Sequence, residues 1–261
     1  MNDEQIKNYK VLGLINARGG SKRIPNKNVQ NICGKPMIYY PIKSGLDSKY
    51  INKLIVSTDS KYIAGISKSF GADVPFIRPK ELAGDNVSQF EPTEHAVKTL
   101  KEQGEDFDIV VLILCNTPFV TGENIDKMIE IIVENKNLDS VRSIAPVSVP
   151  SEWMAVFKDD KKLLIERYNS DVALSDNRFC HSDKLPERFE LVGMVDVIWI
   201  DTILKKKNLF GDIVGGVVFS CLNSFDINTY DDLYIADLIM KDKIDRCQNW
   251  FKYYIKPKEI N

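Results

Sequence analysis

The stretch that most constrains this chain is Val11–Asn28, VLGLINARGGSKRIPNKN, in which an apolar run ends abruptly in a loop of glycine, arginine and lysine. Val11, Leu12, Leu14 and Ile15 make the short apolar segment expected of a buried parallel strand. The Gly19–Gly20 pair admits backbone conformations closed to other residues, so the strand delivers a loop. That loop carries Arg18, Ser21, Lys22, Arg23 and Lys27 with no acidic residue among them, which points to an anion presented at the carboxyl end of a sheet. A triphosphate fits well. Backbone N–H groups of a glycine-rich turn can line a concave anion site, arginine forks onto phosphate oxygens, and lysine acts as a point charge. There is neither a Gly-Lys-Ser/Thr ending nor a GxGxxG, so the loop announces neither the usual ATPase nor the usual dinucleotide fold. On its own, a glycine pair with basic neighbours reads equally well as a solvated surface turn.

The rest of the chain supplies strands and helices in alternation. Helical spacing starts at Pro36 and runs through Met37, Ile38, Tyr40, Ile42 and Leu46. Leu54–Ser57 is the next strand, and Asp59–Ser60 caps a helix bearing Ile63, Ile66 and Phe70 that Gly71 stops. Asp73–Ile77 reads as a brief strand and Pro92–Gln103 as a helix. Ile109–Leu114 is wholly apolar, as a central strand covered on both faces should be, and Asn124–Asn135 is the helix after it. This alternation predicts an α/β fold with a doubly wound, mostly parallel sheet. From Ser140 the pattern changes to short strands at Val141–Val147 and Trp153–Phe157, then a mixed segment, Phe179–Phe189, read as an extended arm. Val192–Ile200 and Ile213–Phe219 return as strands and Thr229–Met240 as a closing helix. The aromatic tail Trp250–Ile255 is expected to pack on its own domain or on a partner.

Composition narrows the function classes. With 261 residues and 44% hydrophobic content, one large α/β domain with an appendage is expected. A net charge of −2 gives no general attraction to nucleic acid or an anionic membrane, so basic function must be local. The five cysteines are scattered without a CxxC pair and read as reduced core residues rather than zinc ligands. No apolar run approaches the ~20 residues that span a bilayer, and the N-terminal residues are polar, so a cytoplasmic location is expected.

The run Ala17–Asn28, ARGGSKRIPNKN, also resembles the signature opening of the acylneuraminate cytidylyltransferases, which make CMP-sialic acids and related CMP-sugars. Further matches follow in the family's order: IVSTD at Ile55–Asp59, RPKELAGD at Arg78–Asp85, Thr117-Pro118 with Thr121-Gly122, and DINT at Asp226–Thr229. The resemblance covers most of the chain and thins between Val149 and Gly193. It implies a sheet of the nucleotide-diphospho-sugar transferase type in a single nucleotidyltransferase domain over 1–261, with an arm over about 149–192 as the dimerisation element of a homodimer. It also implies a reaction between CTP and a small sugar-acid-like acceptor, with Mg2+ as cofactor. The products would be pyrophosphate and a CMP-activated sugar for surface polysaccharide.

Residues and resemblance together give the candidate site. Arg18 and Lys22 are expected to hold the triphosphate and stabilise the departing pyrophosphate, with Ser21, Lys27 and Asn28 beside them. Asp226 is expected to bind magnesium, assisted by Asn228, with Asp59 and Asp85 as weaker acidic candidates. Arg78 and Ser88 are expected to read the base, and Asp196 to face the acceptor. The chain departs from the family in four places. Leu114 replaces a glutamine and Asn228 a second aspartate. Gly193–Asp196 stands where sialic acid enzymes have Gly-Ala-Ile-Tyr, and Ser182 where they commonly place an arginine. These departures keep alternatives open: a catalytically degenerate nucleotide-binding homologue, another base, or an acceptor unlike sialic acid. His181 and His95 are read as structural or exposed rather than catalytic.

Overall fold

The computed structural model of the chain describes residues 3–147, 155–159, 162–165 and 187–245. A short helix α1 (Asp3–Ile6) precedes β1 (Val11–Asn16), whose first five residues are all buried. The basic loop then runs through a 3-10 turn at Lys27–Val29 into a small hairpin, β2 (Asn31–Ile32) and β3 (Lys35–Pro36). Cys33 and Gly34 both take positive φ, 48° and 79°, the backbone that a two-residue hairpin turn requires. This hairpin corrects one expectation. Pro36 is paired in β3, so α2 (Tyr39–Asp47) starts three residues later than the helical spacing predicts.

The next elements are β4 (Lys53–Ser57), α3 (Lys61–Ser69), α4 (Phe90–Glu102), β5 (Ile109–Ile113) and α5 (Gly122–Glu134). Ser60 caps α3 by accepting from the Ile63 N–H, and Gly71 (φ 94°) ends the turn after it. Thr121 and Asn124 form a reciprocal capping box on α5. The strand expected at Asp73–Ile77 reduces to one parallel bridge between Asp73 and Ile55, which lengthens the edge beyond β4.

After α5 come β6 (Ser140–Pro146), a separate hairpin of β7 (Ala155–Asp159) with β8 (Lys162–Ile165), β9 (Phe189–Trp199), a π-type turn at Thr202–Lys206, β10 (Val214–Val218) and α6 (Tyr230–Asp245). The six-stranded sheet has the order β10-β6-β9-β5-β1-β4. All pairings are parallel except those of β9, which runs against both β5 and β6. The mostly parallel sheet is therefore correct, with one reversed strand where the sequence pattern loses its regular wind. Most of the arm over about 149–192, with Ser182 and His181, lies outside the described residues, as does the tail Trp250–Ile255.

Both faces of the sheet are covered. Val11, Ile15, Val56, Val111 and Ile113 pack with Ile42, Ile63, Ile125 and Ile129 on one side. Leu12, Leu14, Ile55, Val110 and Leu112 pack with Ala96, Val97, Leu100 and Ile203 on the other. A third cluster of Ile24, Ile32, Met37, Phe119, Ile227 and Ala236 joins the basic loop and its hairpin to α6. The chain leaves β1 for β4 on one side and later returns to β5 on the other, so their carboxyl ends part and open a crevice.

The close approach of α2 to α5 depends on Gly122, where a Cβ would lie 2.6 Å from the Asp47 carbonyl carbon and 2.9 Å from the Ser48 nitrogen. Backbone on both sides leaves no side chain to move aside. Gly122→Ala should therefore cost about 2 kcal/mol or more and lower the melting temperature by roughly 4 °C or more. Differential scanning calorimetry checks this, and an unchanged melting temperature would contradict the packing.

Candidate active site

The crevice is a cavity of ≈ 500 Å³. Leu112, Ile113, Leu114, Cys115 and Asn116 at the end of β5 form one wall; the basic loop, the Arg78–Gln89 segment and Asn228 form the others. Backbone contacts set the shape of the basic loop. The buried Asn28 amide donates to the Arg18 carbonyl at 2.9 Å, and the Gly19 N–H donates to Asp59 Oδ1 at 2.8 Å. A Cβ on Gly19 would fall 3.2 Å from the Ser60 Cβ, so glycine lets the loop lie against the start of α3.

The side chains of the loop converge on a single acid. Arg18 Nη1 donates to Asp85 Oδ1 at 2.9 Å, and Lys22 Nζ to Asp85 Oδ2 at 2.7 Å. Hydrogen bonds from Lys22 and then Arg18 hold the Asp85 carboxyl below the usual carboxylate range. Lys22 is 78% exposed, so these pairs add little to stability. What they do is bring two cations to bear on one pair of oxygens. Lys27 reaches the other way and donates to the Ile227 carbonyl at 2.9 Å. Burial lowers its pKa, and the Asp226 carboxylate is among the groups that oppose that shift.

Arg78 is 3% exposed, its backbone N–H donates to the Thr58 carbonyl at 2.8 Å, and its guanidinium lies 3.9 Å from Asp59 Oδ1. Burial lowers its pKa, opposed by Asp59, and its Nε has no partner among the described residues. The Ser88 hydroxyl donates to Glu91 Oε2. Burial pushes the Cys115 thiol up to about 12, so it is a neutral wall of the cavity rather than a nucleophile.

Asp226 does not itself line the cavity but touches two residues that do, Asn116 and Asn228. Its Oδ2 accepts from Asn228 Nδ2 at 2.6 Å and is 3.5 Å from Asn116 Nδ2. Asn228 meets the carboxylate through its Nδ2, so its oxygen can join Asp226 at one cation only once the amide turns over. One carboxylate with an amide oxygen, beside a phosphate site, suits a magnesium ion that keeps phosphate and water ligands. Among the described residues no group of three or more His, Cys, Asp or Glu forms a metal cluster, so the substrate would have to complete the shell.

Arg18, Ser21, Lys22, Lys27, Asn28, Arg78, Ser88 and Asn228 thus share one cavity. Asp196 does not line it, which corrects the expectation of an acceptor-facing carboxylate. On β9 it lies across from Leu112 and Arg142, and its carboxylate pairs with the buried Arg142 guanidinium. Arg142 also donates to the Leu209 carbonyl at 2.6 Å and stacks 3.9 Å over the Phe210 ring. Burial pushes the Asp196 carboxyl up, with Arg142 opposing. Gly193, three residues earlier, is the part of that segment that reaches the site: a Cβ there would lie 2.8 Å from Leu114 Cδ2. His95 packs edge-on against Phe76, and burial lowers its pKa, in keeping with a structural role. Sequence reasoning overlooked Asn16, Gln89 and Asn116 as lining residues. The signal for Asn16 was present, since it is the one polar residue that ends an otherwise apolar strand.

A basic glycine turn at the end of a central parallel strand, facing a crevice at the strand-order switch, defines a nucleotide-binding α/β protein of the phosphate-transfer kind. Residues 12–179 match the family model described as Cytidylyltransferase. The chain belongs to that family and is a CTP-dependent nucleotidyltransferase. It is 27% identical over 233 residues to CMP-N,N'-diacetyllegionaminic acid synthase of Legionella pneumophila, covering 89% of this chain and 97% of the relative. It is 33% identical over 128 residues to the pseudaminic acid cytidylyltransferase of Campylobacter jejuni, covering 49% of this chain and 55% of the relative. Against N-acylneuraminate cytidylyltransferase of Escherichia coli it is 28% identical over 249 residues, 92% of this chain and 55% of that one. The fold matches a CMP:2-keto-3-deoxy-manno-octonic acid synthetase structure complexed with CTP, with a TM-score of 0.66 at 14% identity, covering 90% of this chain and 99% of that one.

The Asp196–Arg142 pair has a testable energetic signature. Arg142→Met alone leaves a buried carboxylate uncompensated and should cost about 3–5 kcal/mol, while Arg142→Met with Asp196→Leu should recover most of that loss. Urea unfolding measures both; equal losses in the single and double variants would contradict the pairing.

Proposed function

We propose that this chain condenses CTP with a sialic-acid-like sugar acid to give a CMP-activated sugar and pyrophosphate, for a surface glycan. The observation that carries the reading is the convergence of Arg18 and Lys22 on one point at the end of β1, now filled by the Asp85 carboxylate. Incoming phosphate oxygens would take the place of those carboxylate oxygens. The acceptor hydroxyl oxygen attacks the α-phosphorus, the bond from that phosphorus to the bridging oxygen breaks, and pyrophosphate leaves as the hydroxyl proton passes to solvent. Arg18 and Lys22 meet the charge that grows on the leaving group, and Lys27 screens the site from the Asp226 side. Asp226 and Asn228 would hold Mg2+, which supplies further neutralisation of phosphate charge when bound. The relatives named for legionaminic, pseudaminic and neuraminic acids support the acceptor class.

Pyrophosphate release assayed across CTP, UTP, ATP and GTP with a panel of such acids tests the reaction. Turnover with CTP and at least one acid is expected. Nucleotide binding without release under any pairing would favour a degenerate homologue. Arg18→Ala should lower kcat/KM about tenfold to a hundredfold, converting a charge-assisted hydrogen bond of about 1.5–3 kcal/mol, while Arg23→Ala at the exposed rim should be nearly silent. The reverse pattern would mean that the cradle has been assigned to the wrong residues.

A cytoplasmic homodimer is part of the same proposal. Leu191 and Val218 flank Ile144 on neighbouring strands, so they share one face of the sheet, and they are 62% and 49% exposed in the single chain. Val214, on the strand of Val218, and Phe189, on that of Leu191, extend that apolar face. A twofold partner would cover it. Light scattering should give about twice the chain mass of 29.7 kDa, and a mass near one chain would end the dimer reading.

A further inference from the structure

We propose that Asn16 reads the pyrimidine base, its side-chain oxygen accepting a hydrogen bond from the exocyclic amine of cytosine and so selecting CTP over UTP. This rests on the CTP reading above and names a residue that reading does not use. The orientation of the Asn16 amide is fixed by its neighbours. The Thr93 hydroxyl gives its single hydrogen to the Gln89 carbonyl at 2.7 Å, so toward Asn16, 3.0 Å away, it can only accept. That places Nδ2 of Asn16 on the Thr93 side, where it also donates to Gln89 Oε1 at 3.2 Å. Oδ1 is then turned away from both. It is withdrawn from solvent and has no partner among the described residues, although the side chain lines the cavity. A buried acceptor in that condition is costly unless a donor meets it.

The last paired residues of β1 and β5 are Leu14 and Leu112, and beyond them both Asn16 and Leu114 line the cavity. Leu114 cannot hydrogen-bond a base, and Asn16 can. The cavity holds a complementary group: Arg78 Nε, a buried donor also without a partner. An acceptor and a donor are the two kinds of group that the edge of cytosine calls for, since its amine donor stands beside the N3 and O2 acceptors. Uracil presents a carbonyl in place of the amine and would set acceptor against acceptor. A polar site rejects an analogue that lacks the group it was built to bind.

Calorimetric titration with CTP and with UTP, in the presence of magnesium, tests the assignment on the full chain. Wild type is expected to prefer CTP. Asn16→Leu should weaken CTP about tenfold while changing UTP less than about threefold, so the ratio collapses. Thr93→Val keeps Asn16 but frees its amide to turn, and should narrow the ratio mainly by improving UTP; it carries the test if Asn16→Leu fails to fold. A CTP-to-UTP ratio unchanged in both variants would overturn the role of Asn16 and leave the CTP reading intact. Failure of wild type to bind CTP would overturn both.

Discussion

Four cations within ten residues repel one another, and the fold has to hold them open before any phosphate arrives. Two devices meet Arg18, Lys22 and Lys27. Arg18 and Lys22 share the Asp85 carboxylate, and Lys27 turns to a backbone carbonyl 200 residues away. The Asn28 amide and the Asp59 carboxylate fix the peptide path between them without adding positive charge. Loss of any one of these would leave a site with the right residues in the wrong places, and the crevice between β1 and β5 would be only a gap in a sheet.

The fold was largely legible because buried parallel strands leave a strong apolar signal. Val11–Ile15 and Ile109–Ile113 could be placed from that signal alone. Direction was not legible: β9 is as apolar as its neighbours, and nothing in Val192–Trp199 reveals that it runs against them. Pro36 misled for a local reason. Proline suits the first turn of a helix and the edge of a hairpin equally, and the positive φ of Cys33 decided the matter.

The site divides in the same way. Charged loop residues announce themselves, so Arg18, Lys22, Lys27 and Arg78 could be named in advance. Asp196 was misplaced because it stands where the sialic acid enzymes have the tyrosine of Gly-Ala-Ile-Tyr, whereas its partner, Arg142, comes from a strand that sequence order hides. Asn16 was passed over for the opposite reason: an uncharged amide at a strand end looks like a boundary. Its orientation depends on where Thr93 sends its one hydrogen and on what Gln89 accepts, a property of three residues that only the folded arrangement brings together.

The bond from Lys27 to the Ile227 carbonyl also sets an order of events in time. Ile24, Ile32 and Met37, which steady the basic loop from below, pack against Ile227 and Ala236 near the far end of the chain. While the polypeptide is being made, its first strand and its glycine turn emerge long before the segment that seats them. A partly synthesised chain therefore carries this basic stretch without its anchor, and a completed nucleotide site belongs only to a chain whose α6 has left the ribosome.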